Sequence, residues 1–233
     1  MQKDHNDVEM EDGPRRVMRA DAERNRSRLL AAATEMFCER GLDVGVGEIA
    51  ERAGVGRGTL FRNFPSKEHL MAAILVERLT ESIQRGRDAL QAPDAGEALF
   101  DLIDASVGRS QTDRALFDAL ADAWLANDEI RAAHAELLEV MEALIGRAQA
   151  AGAVRTDIGA VDVLMMVKGV CEAAAAFQHA SPGVALRQVD LIRAAISAQG
   201  DLRPLRGPMP TVQELERSVV AKGGSVPQRS AAG

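Results

Sequence analysis

The sequence predicts an all-α protein, and three observations carry that expectation. Alanine, leucine, arginine and glutamate are plentiful, tyrosine is absent and aromatic residues make up only 3% of the chain, a balance that favours helix over strand. Apolar residues recur at intervals of three and four along most of the chain, the period of a helix with one buried face. No segment alternates convincingly in the manner of a strand, and no internal repeat stands out.

Residues 1–20 read as a disordered arm, acidic at first and then carrying Gly13-Pro14-Arg15-Arg16 and Arg19. Asp21 can cap a helix that runs to about Arg40, with Leu29, Ala33, Met36 and Phe37 as its buried stripe. Gly41 is placed to stop it, since glycine enters the left-handed conformation without steric cost. A short helix from about Val46 to Ala53 turns Ile49 and Ala50 inward, and Gly54-Val55-Gly56 follows as a tight turn. A second short helix runs from Arg57 to about Asn63; Pro65 ends it because the residue before a proline avoids helical geometry. Ser66 then caps a long helix from Lys67 to about Leu90, whose apolar positions are Leu70, Ile74, Leu75, Leu79 and Ile83.

Beyond this point the caps are the guide. Pro93-Asp94 opens a helix to about Arg109, Thr112-Asp113 one to about Leu125, and Asn127-Asp128 one to about Ala151. Gly152 and the stretch Thr156 to Gly159 form a connector. A helix over Ala160 to Ala180 is broken by Ser181-Pro182-Gly183, and the last core helix spans about Ala185 to Gln199. From Gly200 on, proline, glycine, serine and arginine accumulate, which reads as a mobile tail with one short helix near Thr211 to Ala221. The division is therefore an arm (1–20), a small helical domain (21–66), a larger one (67–199) and a tail (200–233).

Composition narrows the class. Apolar residues make up 46% of the chain, which excludes wholesale disorder. Val161 to Phe177 is the most apolar segment, but it carries Asp162, Lys168 and Glu172 and falls short of the ~20 apolar residues of a spanning helix. A buried helix and no membrane role are the expectation there. The first residues are charged and have no apolar stretch, so no signal peptide is read and a cytoplasmic location is expected. Cys38 and Cys171 are too few and too distant for a disulfide framework and read as buried reduced thiols, a redox switch being the alternative. The net charge of −7 is unevenly distributed, at −4 over residues 1–13, +3 over 14–70 and −6 over the remainder. Binding to phosphate needs local cations, and residues 14–70 hold the positive block.

That block contains the informative stretch, Ile49-Ala50-Glu51-Arg52-Ala53-Gly54-Val55-Gly56-Arg57-Gly58-Thr59-Leu60-Phe61-Arg62-Asn63-Phe64. It reads as two short helices meeting at a sharp turn, with Ala50 small at the crossing and Val55 and Leu60 filling the gap. The second helix would project and enter the DNA major groove. Arg57, Thr59, Arg62 and Asn63 can donate to phosphates or base edges, and Phe61 offers a flat apolar face for sugar or a thymine methyl. Lys67 starts the next helix, where its ammonium and the helix N-terminus can both meet a phosphate. The plainer alternative is two surface helices with ordinary solvated charges.

The run Thr59-Leu60-Phe61-Arg62-Asn63-Phe64-Pro65-Ser66-Lys67-Glu68 resembles the recognition-helix signature of TetR-type regulators. So does its frame, Met36-Phe37-Cys38-Glu39-Arg40-Gly41, Glu48-Ile49-Ala50 and Gly54-Val55, a likeness covering about Arg26 to Leu70. The family's usual tyrosine is Phe61 here and its common histidine is Asn63, while Gly45 and Gly47 stand where stiffer residues are common. The resemblance implies a three-helix DNA-binding domain with a helix-turn-helix, plus a larger helical domain for dimerisation and ligand binding; that second domain faintly resembles the SbtR-like subgroup. It also implies a palindromic double-stranded operator, with Gly47, Arg57, Gly58, Thr59, Phe61, Arg62, Asn63 and Lys67 as the DNA-facing residues.

Two further expectations concern the larger domain. The Val161–Phe177 helix is apolar nearly all round, and the next helix, with Val184, Leu186, Val189, Leu191, Ile192 and Ile196, exceeds one stripe. Such a pair suits a four-helix seam with a symmetry copy, the alternative being a monomer core. Phe100, Ile103, Phe117, Trp124, Met141, Met165 and Met166, on separate helices, are candidates to line an apolar effector pocket, His134 and Glu172 being possible polar contacts. The alternative is that they simply fill the core. Enzyme readings fail on their context. Gly45-Val46-Gly47-Glu48-Ile49-Ala50 matches a loose dinucleotide pattern but lacks the preceding strand. His134-Ala135-Glu136 has no following PCxxC, no GxSxG occurs, and His5, His69, His134 and His179 show no metal-ligand spacing, so no cofactor or metal is expected. The reading is a non-enzymatic, homodimeric transcription regulator, a repressor released by a small hydrophobic effector. The other class is a constitutive or architectural DNA-binding protein whose C-terminal domain only dimerises or recruits a partner.

Overall fold

The computed structural model describes residues 12–112, 127–177 and 184–199. The helix expected over Thr112 to Leu125, with Phe117 and Trp124, lies outside them apart from Thr112 itself, as do residues 1–11, the Ser181-Pro182-Gly183 break and the tail from Gly200. The chain divides into two compact units, residues 1–74 and 75–233.

In the first unit, α1 (Asp12–Arg40) starts well before the Asp21 cap expected from sequence, so the stretch read as a disordered arm is helical from Asp12 on. Pro14 falls in the first turn, where a missing N–H leaves no helical bond unmade. Asp21 lies inside the helix, ion-paired with Arg24. The expected stripe is buried: Leu29, Ala33, Met36 and Phe37 all face the core, joined by Leu30 and Ala32. Gly41 ends α1 at a φ of 78°, its N–H donating to the Phe37 carbonyl at 3.0 Å. Then come α2 (Val46–Arg52), the Gly54 turn at a φ of 66°, and α3 (Arg57–Asn63). Phe64 is extended ahead of Pro65, and its ring is buried. Ser66 Oγ accepts the His69 N–H at 3.4 Å and opens α4 (Lys67–Ala89).

The boundary falls at Ile74 rather than at Ser66, because Leu70 and Ile74 of α4 are fully buried and belong to the first core. The second unit holds the rest of α4, then α5 (Ala95–Thr112), α6 (Asp128–Ala150), α7 (Ala160–Phe177) and α8 (Val184–Ile196). Its caps match the residues read from sequence. Asp94 accepts the Glu97 N–H at 3.0 Å, and Asn127 accepts those of Glu129 and Ile130 at 2.9 and 3.1 Å. The core is built from Leu99, Ile103, Leu144, Ile145, Val163 and Ile192 with their neighbours. Gly86 of α4 lies close under α6, where a Cβ would stand 2.5 Å from Val140 Cγ1. Among the described residues the extended pairing is one isolated bridge, Val154 with Ser197, flanked by Arg155 N–H to Ile196 O at 2.9 Å and Ala198 N–H to Ala153 O at 3.0 Å. It fastens the end of α8 to the turn after α6. No described helix is long and apolar enough to cross a membrane.

Neither cysteine forms a disulfide. Cys38 is exposed rather than buried, because it follows Phe37 around the helix onto the solvent side; Cys171 is half-buried.

Candidate nucleic-acid interface and cavity

The α2–turn–α3 segment is held from beneath. Ile49, Ala50 and Leu60 are buried, and the Val55 N–H returns to the Ala50 carbonyl at 3.0 Å across the turn. Arg28 of α1 donates to the Gly54 carbonyl at 3.4 Å. At the start of α2, Gly45 has no side chain to cap with, so Glu48 reaches back to its N–H at 3.1 Å while accepting from Arg40 at 2.7 Å. These bonds, the Arg40 one first, hold the Glu48 carboxyl below the usual carboxylate range.

The outward face of α3 carries the residues named from sequence. Leu60 has no exposed surface, whereas Phe61, the next residue, is 48% exposed. Arg57, Gly58 and Arg62 are exposed beside it, and Thr59 and Asn63 are half-buried. Arg62 is pre-set along the helix, with Nε to the Gly58 carbonyl at 3.2 Å and Nη2 to Thr59 Oγ1 at 3.1 Å. Asn63 Nδ2 donates to the Thr59 carbonyl at 2.8 Å, so its Oδ1 is the atom turned to other uses. Gly47 lies under the Arg57 guanidinium. Lys67 also has an internal contact: its ammonium donates to the Leu42 carbonyl and sits 5.8 Å from the Phe37 ring centre, tying α4 to the end of α1. Among the described residues, the cations of the unit fall into paired and unpaired sets, Arg26 and Arg28 of α1 being among the unpaired. Arg40 pairs with Glu48, and Arg52 with Glu35 and Glu39. Arg57 and Arg62 have no carboxylate partner among the described residues, whereas Lys67 acts electrostatically on the neighbouring Glu68. An exposed, uncompensated cationic helix over a buried leucine is a surface that can bind phosphate and reach base edges.

Comparison with known proteins agrees with this geometry. Residues 29–74 match the model described as bacterial regulatory proteins, tetR family, and residues 94–196 match that of the transcriptional regulator SbtR-like C-terminal domain. The crystal structure of the TetR transcription regulatory protein from Mycobacterium vanbaalenii is 32% identical, with a TM-score of 0.57 over 77% of this chain and 99% of that one. The chain belongs to the TetR family. It is a DNA-binding transcriptional regulator with an N-terminal helix-turn-helix unit and a helical C-terminal unit. Among curated relatives, the transcriptional activator FasR of Mycolicibacterium smegmatis is 37% identical over 101 residues, which is 40% of this chain and 46% of FasR. The transcriptional repressor KstR of Rhodococcus jostii is 33% identical over 128 residues, which is 53% of this chain and 58% of KstR. These two matches thus span about half the length of the relatives concerned.

The C-terminal unit of this TetR-family chain holds a cavity of about 150 Å³ bounded by α4, α5, α6 and α7. Leu75, Leu79, Leu102, Leu138, Val163 and Leu164 are among its apolar walls. Two of the residues named from sequence, Ile103 and Met141, line it. Phe100 does not: it is buried against α8, with the Arg193 guanidinium 4.3 Å above its ring. Met165 and Met166 lie instead along an apolar groove between α7 and α8, with Met165 itself 56% exposed. Phe117 and Trp124 lie outside the described residues. Glu172 is exposed and near Lys168, at 3.8 Å, and takes no part.

His134, named from sequence as a possible polar contact, does line the cavity. It is buried in the cavity wall, and burial pushes its imidazole down to about 4. Its spacing gave the signal, because Ile130, His134, Leu138 and Met141 form one helical stripe. Arg78, Ser82, Ser106 and Arg109 also border the cavity and were not singled out, since polar residues on a helix read by default as solvent-facing. Arg109 Nη2 donates to Ser82 Oγ at 3.3 Å.

Proposed function

We propose that this regulator is a homodimeric repressor that lies with α3 in the major groove of a palindromic operator and leaves it when a small hydrophobic effector enters the α4–α7 cavity. The observation that carries the DNA half is the exposed face of α3, where Arg57, Phe61 and Arg62 stand outward over the buried Leu60. Thr59 and Asn63 supply hydrogen-bonding atoms, Gly58 lets the backbone approach, and Lys67 with the α4 N-terminus adds a phosphate contact. Acting on chromosomal DNA, the protein works in the cytoplasm.

Dimerisation rests on the outer faces of α7 and α8, where Met165, Leu186 and Leu191 are 56%, 64% and 53% exposed. Large apolar side chains gathered on two adjacent helices fit an isologous seam. Effector binding rests on the cavity, whose volume is that of an apolar void able to hold a benzene-sized group. Apolar walls with His134 and Ser106 among them suit a mainly hydrophobic compound carrying a hydrogen-bonding group. Such a compound would bear on Leu75 and Leu79 of α4, the helix whose first turns carry Lys67, and shift the balance between binding and non-binding states.

Selection of bound duplexes from a random pool tests the reading. Enrichment of a palindrome with half-sites about one helical turn apart, ~34–36 Å, supports it. Failure to bind any duplex at low salt overturns it. The effector is sought by thermal shift against a panel of metabolites, each hit then being required to release the selected DNA. A panel without hits would leave the C-terminal unit as a dimerisation or recruitment module.

A further inference from the structure

Resting on that docking face, we propose that Gly47 is a positioning residue for DNA binding: its missing side chain leaves a slot across α2 in which the Arg57 guanidinium lies, where it can serve as a phosphate contact. The geometry is specific. A Cβ built on Gly47 would stand 2.4 Å from Arg57 Nη2 and 2.8 Å from both Cζ and Nε. Those distances place the guanidinium over the Gly47 backbone, so that a Cβ at that position would oblige the flexible Arg57 side chain to move off it.

Three further observations point the same way. Alanine is the better helix former, so the glycine at the second position of the seven-residue α2 is not explained by helix propensity and is compatible with close approach. The start of α2 has no cation of its own: the half-buried Val46 and Gly47 are neutral, and Glu48 is an acid already engaged by Arg40. Arg57 brings a positive charge to that surface from the neighbouring helix, and no carboxylate neutralises it among the described residues. An arginine laid flat over backbone loses less conformational freedom on meeting a phosphate than one that waves in solvent.

A double-mutant cycle tests this with the full chain and two probes, the pool-selected duplex and a random-sequence duplex at low salt. Gly47→Ala, Arg57→Ala and the double variant are titrated by fluorescence anisotropy over a range of salt concentrations, and each is melted. Arg57→Ala is expected to weaken both probes and to reduce the salt slope by about 1. Gly47→Ala is expected to weaken binding several-fold and flatten the slope likewise, while its melting temperature stays level or rises, alanine being the better helix former. In the Arg57→Ala background the same change is expected to do nothing more. Unchanged binding by Gly47→Ala, or an equal loss with and without Arg57, would overturn the positioning role while leaving the docking face intact. A wild-type chain that binds neither probe would overturn both.

Discussion

In the first unit one seven-residue helix carries most of the candidate surface, whereas in the second four helices share the wall of one cavity. The contrast follows from what each must meet. A surface that fits a rigid external partner has to be presented by a single stiff element, so its residues sit close together in the chain: Arg57, Phe61 and Arg62 lie within two turns of α3. A cavity is what remains where several helices fail to fill the space between them, so its walls come from residues as distant as Leu75 and Val167. Neighbouring residues can therefore have opposite duties in the first unit, and distant ones the same duty in the second.

The comparison can be broken in several places. The largest effect is expected for Leu60→Ala, which removes the fully buried underside of α3 and should cost about 2–5 kcal/mol. DNA binding should be lost and the first unit should melt early in a circular dichroism scan. An unchanged melt would mean that the outward face of α3 does not depend on its buried one.

Next comes His134 in the second unit. The folded chain holds its imidazole at about 4 rather than 6.5, so the unfolded chain takes up the proton first. The associated stability is present above pH 6.5 and drains away as pH falls toward 4, by up to about 3 kcal/mol. Denaturant melts across that window should show the loss in the wild type and a flatter profile in His134→Leu. Equal profiles would remove His134 from the buried wall.

Smaller is Arg62→Ala, expected to weaken DNA about tenfold across sequences with the salt slope reduced by about 1, and to leave the melt unchanged. Lys67→Ala should weaken DNA too but also lower stability, because its ammonium is bonded to the Leu42 carbonyl. Equal melts for the two variants would show that this tie contributes nothing. The smallest effect belongs to Phe61→Tyr, whose restored hydroxyl should tighten DNA binding by about 0.5–1.5 kcal/mol if it finds a phosphate. A tyrosine variant that binds no better would place the ring away from the backbone of the duplex.

Much of the first unit was legible because its constraints are local. The Leu29–Phe37 stripe, the two left-handed glycines and the proline stop each act within a few residues of themselves, and all appear where the sequence puts them. The start of α1 was misread because Gly13-Pro14 looks like a breaker, although a proline in the first turn is tolerated. The internal bond of Lys67 was not legible for a different reason: the carbonyl it meets, that of Leu42, is 25 residues away, beyond any local pattern. In the second unit the caps and the inward stripes were readable, but cavity membership was not. Ile103 lines the cavity and Phe100 lies under Arg193, although both are buried on the same helix and nothing in the local pattern separates them.

One detail of α4 has a bearing on how such a regulator could be set. Gly86 lets this helix settle against Val140 with no carbon to spare, and the Arg87–Glu136 ion pair sits one residue further along. A single methyl at that point would act as a wedge driven between α4 and α6. If the proposed effector acts through α4, Gly86→Ala should alter the grip on the duplex without any ligand; identical affinity to the wild type would show that the spacing at this crossing is not part of the control.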